Sequence, residues 1–106
     1  MLYLFNIPIM ANEGTYKMSR VSLEEALNIA KNNEEYTSAI GHEGVAEVFN
    51  TLGFYGNVKV NRINAEMASG DIAISLKLRG RLPEGEVISK EKMEEIGFDF
   101  FLIEKQ

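Results

Sequence analysis

From Ile72 to Arg79 the chain alternates without a break. Ile72, Ile74, Leu76 and Leu78 fall on one side, and Ala73, Ser75, Lys77 and Arg79 on the other. A period of two marks a strand with one buried face and one polar face. Such a strand needs neighbours for its backbone and a cover for its apolar face. A cover is encoded upstream, where Leu23, Ala26, Leu27 and Ala30 recur at helical spacing. That stripe follows Ser22-Leu23-Glu24-Glu25, a capping box in which Ser22 caps the helix and Glu25 reaches back. Both periods within 106 residues predict helices packed on a sheet, an α/β or α+β domain. The length supplies one core and not two, so residues 1–106 are read as a single domain.

The remaining elements follow from the same signals. Leu2 to Ile7 reads as a buried strand, with Pro8 at its end and a turn at Asn12-Glu13-Gly14. Asn32-Asn33 ends the first helix, and a further strand is allowed before the next one. Val45, Val48, Phe49 and Leu52 share one face of a second helix from about Glu43 to Leu52, closed by Gly53. Val58 to Met67 reads as a strand, joined to the Ile72 strand by a hairpin at Ala68-Ser69-Gly70-Asp71. Ser89 caps a short helix to Ile96, Gly97 ends it, and Phe98 to Ile103 is a last strand. The expectation is a mixed sheet of about five strands flanked by helices.

Composition narrows the function. The chain has no cysteine and one histidine, so thiol nucleophiles and typical zinc centres are excluded. Its apolar runs are too short for a membrane span, and its first residues lack the pattern of a signal peptide. An intracellular, cytoplasmic location is expected. The net charge of −5 disfavours a protein that coats duplex nucleic acid. Yet Asn57 to Arg81 holds five basic residues (Lys59, Arg62, Lys77, Arg79, Arg81) against two acidic ones, while acidic residues crowd Glu84 to Glu104. Such a strip suits one compact anion, or it is a solvated strand face.

His42, in Thr37-Ser38-Ala39-Ile40-Gly41-His42-Glu43, is the first candidate for chemistry. Histidine is the side chain type that titrates near neutral pH. Its place at a loop-to-helix junction puts it beside outward-pointing N–H groups that attract anions. Gly41 lets a ligand approach the backbone. An exposed or structural imidazole is the other reading. Arg81 and Glu84 lie in the loop Gly80-Arg81-Leu82-Pro83-Glu84-Gly85-Glu86, which either closes over a phosphate or carries a weak surface ion pair. Within the strand pattern, Arg62 reaches a phosphate and Asn61 a base or ribose, or both face solvent. Asn6 ends the first strand, facing a ligand crevice or serving a turn. The paired glutamates look like helix-surface charge, and neither a P-loop nor a dinucleotide glycine motif is present.

With these residues in place, the sequence resembles the viral ring nucleases. These act as type III anti-CRISPR proteins in archaeal viruses, phages and mobile elements, and were first grouped as a domain of unknown function. The resemblance covers nearly the whole chain. It is carried by Leu2-Tyr3-Leu4-Phe5-Asn6, Ser38-Ala39-Ile40-Gly41-His42, Asn61-Arg62, Arg81-Leu82-Pro83-Glu84-Gly85 and the closing Phe98-to-Glu104 strand. It implies a homodimer whose interface forms a pocket for cyclic tetra-adenylate. Cleavage would be independent of metal and cofactor, with a ribose 2′-OH attacking its own 3′-phosphate to give linear di-adenylate with a 2′,3′-cyclic phosphate. His42 would be the general acid, and Arg81 would offset the developing charge. Glu84 would orient the ribose or the histidine. Asn6, Ser38, Ile40, Gly41, Asn61 and Arg62 would bind the ligand. Many relatives carry glutamine before the loop arginine; here Gly80 stands there. The alternatives are a non-catalytic sponge for cyclic nucleotides, and a small viral regulatory or structural dimer.

Overall fold

Leu2–Phe5 forms the first strand, β1, and Leu2 and Leu4 point into a core where neither is exposed. The structure, a computed structural model, describes residues 1–6, 13–63, 65–81 and 89–106. Within them, β1 is followed by β2 (Tyr16–Val21), α1 (Leu23–Lys31), β3 (Tyr36–Ala39), α2 (Glu43–Thr51), β4 (Ile72–Leu78), α3 (Lys90–Ile96) and β5 (Phe98–Lys105). The five strands form one mixed sheet in the order β2-β5-β4-β1-β3. β1 runs parallel to both of its neighbours, β3 and β4. β5 runs antiparallel to β4 and β2.

The helices form where their local signals lie. Ser22 Oγ accepts from the Glu25 N–H at 3.1 Å, and the Glu25 carboxylate returns to the Ser22 N–H at 3.3 Å. That reciprocal pair satisfies two orphan donors of α1. Ser89 caps α3 with a single bond, its Oγ accepting from the Lys92 N–H. Ala26 and Ala30 of α1, Val45, Val48 and Phe49 of α2, and Met93 of α3 meet Leu2, Leu4, Ile74, Leu76 and Phe100 in one large core. The other sheet face carries a smaller cluster, in which Ala65 and Met67 pack on Phe5, Ala73 and Ile103.

Three expectations are corrected. Residues 58–67 do not form a strand where they are described; Val58 packs in the large core while Ala65 and Met67 pack in the cluster on the other sheet face, so the buried residues change sides along the segment. The segment is tied to β3 mainly by side chains: Ser38 Oγ donates to the Lys59 carbonyl at 2.6 Å, and Asn61 Nδ2 donates to the Ser38 carbonyl at 2.9 Å. Consequently residues 68–71 form a turn and no hairpin; β4 leaves that turn to pair with β1 and β5. The third correction is β2, which the sequence reading missed. Tyr-Lys-Met-Ser-Arg-Val has three apolar residues that do not share one face and none that is buried, because it is an edge strand, stabilised by its ladder with β5. Smaller differences are the extension of β5 to Lys105 and the end of β1 at Phe5. Ile7, Pro8 and Asn12 lie outside the described residues.

The sheet's β2–β5–β4 side is braced by Asp99. Arg79 grips it with two bonds, Nε to Oδ2 at 3.1 Å and Nη2 to Oδ1 at 2.7 Å, and Arg20 also donates to Oδ1. The Arg79 hydrogen bonds, aided by the charges of both arginines, hold the Asp99 carboxyl below its ordinary range against the opposing effect of desolvation. A depressed carboxyl contributes stability that is full above its unfolded value, about pH 4, and is lost as pH falls through its folded value. Urea midpoints of wild type and Asp99→Asn are therefore expected to differ at pH 7 and to converge under strong acid. A difference that persists unchanged under strong acid would refute this role.

Candidate anion site at the strand ends

Because β1, β3 and β4 are parallel, their C-terminal ends lie on one edge of the sheet. In open sheets that edge is where ligands bind, outside the carboxyl ends of the strands. β1 delivers Asn6 there, β3 delivers Ile40, Gly41 and His42, and β4 runs on toward Arg79, Gly80 and Arg81.

The turn from β3 into α2 is held from several sides. The Gly41 N–H donates to Asn6 Oδ1 at 3.1 Å. The Ile40 carbonyl accepts from the Asn61 N–H at 2.8 Å. The Gly41 carbonyl accepts from Arg62 Nε at 3.2 Å. The Ile40 N–H reaches Ser38 Oγ at 3.4 Å. Six residues named from the sequence, Asn6, Ser38, Ile40, Gly41, Asn61 and Arg62, are thus one connected cluster. The Ile40 side chain is buried in the core, so that residue meets the turn through its backbone alone.

His42 is the N-cap of α2, extended at φ −135° and ψ 121°. Its carbonyl accepts the first helical bond, from the Ala46 N–H at 3.2 Å. Its side chain is exposed and makes no capping bond. The N–H groups of the first turn therefore keep donor capacity for an anion. Glu43 places negative charge at that helix end, and Lys59 and Arg62 are exposed cations in the segment that packs on the turn. Lys59 belongs to the basic strip read from the sequence but not to the site residues named there; its carbonyl bond to Ser38 is what brings its backbone beside the turn. A depression of about 380 Å³ lined by Glu43, Glu47, Val58, Lys59 and Val60 adjoins this helix start. A larger groove of about 680 Å³, between α1 and Gly53–Tyr55, shares no residue with the cluster.

Arg81 is exposed at the same edge, and among the described residues no hydrogen bond joins it to the cluster. It is displaced because β4 continues to Leu78, past the point where Ser75 pairs with Phe5. Its base is fixed: the Arg79 N–H donates to the Gly97 carbonyl at 3.0 Å, and the Arg79 guanidinium is committed to Asp99. A Cβ placed on Gly80 would rest 3.4 Å from the Ile96 side chain, so a longer residue there would lie against α3. Glu84 lies outside the described residues.

The profile of the STIV B116-like family matches residues 2–100. The chain belongs to the STIV B116-like family. Relatives of this member are viral. It is 36% identical to the uncharacterized protein ORF117 of Acidianus two-tailed virus, over 98% of this chain and 92% of that protein. It is 34% identical to the uncharacterized protein 26 of Sulfolobus islandicus filamentous virus, over 98% of this chain and 91% of the other. Its fold is similar to that of B116 of Sulfolobus turreted icosahedral virus, with a TM-score of 0.80 and 23% identity over 96% of this chain and 97% of that one. Among the described residues, no helix of this B116-like chain is long and apolar enough to cross a membrane.

Proposed function

We propose that this B116-like protein is a metal-independent ring nuclease that opens cyclic tetra-adenylate and so quenches type III CRISPR signalling in the host cytoplasm. The observation that carries the reading is the Gly41–His42 turn. It presents an exposed imidazole at a helix start with no side-chain cap, beside Lys59 and Arg62. An anion seated there places its phosphate next to a proton donor.

The nucleophile in this reaction belongs to the substrate. A ribose 2′-OH gives up its proton to solvent water as its oxygen bonds to the adjacent phosphorus, the P–O5′ bond breaks, and the His42 imidazolium passes its proton to O5′. The protein contributes alignment of the ribose and compensation of the added negative charge. Arg62 and Arg81 supply the compensation, and Glu84 orients the ribose or the imidazole. A second copy of the chain completes the pocket. Two His42 residues related by a two-fold axis then make two cuts in one symmetric ring, yielding two linear di-adenylates with 2′,3′-cyclic phosphate ends.

Incubation of the purified protein with cyclic tetra-adenylate in EDTA tests the proposal. Linear di-adenylate is the expected product. A ring that is bound but intact would make the protein a sponge, and a ring neither bound nor cut would leave a viral protein of structural or regulatory kind.

A further inference from the structure

The polar groups around Gly41 point to a division of labour that the list of site residues hides. Three successive backbone groups before His42 are each held from outside their own element: the Ile40 carbonyl by the Asn61 N–H, the Gly41 N–H by Asn6, and the Gly41 carbonyl by Arg62. These groups belong to two consecutive peptide planes. Immediately after them the His42 carbonyl enters the α2 ladder. The backbone that carries the imidazole is therefore fixed on both sides, although the imidazole itself is exposed and makes no cap bond.

We infer that Asn6 and Arg62 are positioning residues for His42, acting through the Gly41 peptides. The hydrogen-bond inventory supports the assignment. The Asn6 amide oxygen is used on Gly41, and so is Arg62 Nε, the donor nearest its stem. Among the described residues no hydrogen bond or ion pair engages the Arg62 Nη groups, so in this reading Arg62 orients the turn through Nε and offers its Nη groups to a phosphate. Both side chains flank Gly41: a Cβ there would lie 3.7 Å from Arg62 Cγ and 4.0 Å from Asn6 Oδ1, at ordinary van der Waals contact. An imidazole must sit within a few tenths of an ångström of its leaving group to transfer a proton well. A surface histidine on a free loop would not be held to that tolerance; here two side chains from distant parts of the chain hold it.

The catalytic consequence rests on the ring-nuclease reading, and the test separates the two. Amide hydrogen exchange reads the clamp without any substrate. In Asn6→Ala the Gly41 N–H is expected to exchange at least about tenfold faster than in wild type, because its acceptor is gone. Asn6→Asp keeps an acceptor oxygen and restores protection, which also shows that position 6 tolerates change without unfolding. On cyclic tetra-adenylate, Asn6→Ala is expected to lower kcat about tenfold or more with little change in KM. Arg62→Lys, which keeps the charge but loses the planar Nε donor, lowers kcat likewise. Equal Gly41 protection in wild type and Asn6→Ala overturns the inference, as does a loss confined to KM. If wild type leaves the ring intact, the nuclease reading fails while the exchange result still decides whether the clamp exists.

Discussion

Replacing His42 by alanine is expected to remove on the order of 10²–10⁴-fold of the turnover of cyclic tetra-adenylate, the range that a positioned general acid supplies. Binding of the ring is expected to survive. The imidazole is exposed and caps nothing, so its loss leaves the N–H groups of α2 and the guanidinium of Arg62 in place for phosphate. Single-turnover cleavage together with binding to a fluorescent ring separates the two quantities. Loss of binding with an unchanged chemical step would make His42 a ligand contact, and cleavage at the wild-type rate would remove it from the reaction altogether. Because the chain has one histidine, no second imidazole can compensate within a protomer.

Replacing Phe100 by alanine is expected to cost about 3–5 kcal/mol, the usual range for deleting a buried phenyl ring. Phe100 is 1% exposed and stands where strand and helices meet. Its ring lies 5.4 Å from Phe54, 5.6 Å from Phe98 and 6.1 Å from Phe49, and Phe49 in turn meets Phe54 edge-on at 5.1 Å. Removing the shared ring leaves three aromatic neighbours facing a void that they cannot close without leaving their own rotamers. Set against a typical domain stability of about 5–15 kcal/mol, this is a large fraction of the whole. Met18→Ala is the contrast: Met18 is 56% exposed on an edge strand, and its truncation is expected to change stability by no more than about 0.5 kcal/mol. Denaturant midpoints measure both. Equal shifts would place Phe100 outside the core.

Much of this architecture is written locally. The capping box at Ser22, the stripe through Ala26 and Ala30, the alternation from Ile72 onward and the glycine after Ile96 each depend on neighbours within a few residues, and each element formed where its signal lies. The errors fall where a distant partner decides. Residues 58–67 are rich in strand-forming apolar residues whose phase changes between Val60 and Ile63, and β3 receives them through Ser38 and Asn61 side chains in place of a ladder. Residues 16–21 carry three apolar residues, Tyr16, Met18 and Val21, that do not keep one face, yet β5 recruits them as an edge strand.

The same boundary runs through the candidate site. Residue type alone singled out His42 as the first candidate for acid–base chemistry near neutral pH, since it is the one histidine of the chain. Spacing alone determined that His42 opens a helix. What only the tertiary structure decided is who holds it. Asn6 and Gly41 are 35 positions apart, and Gly41 and Arg62 are 21 apart. No local period encodes a hydrogen bond across such separations. The first bond exists because β1 and β3 pair in parallel, with Phe5 beside Ala39, so that the residues just beyond both strands arrive at one edge of the sheet together; the second exists because Ser38, Ile40 and Asn61 tie the segment that carries Arg62 to the end of β3.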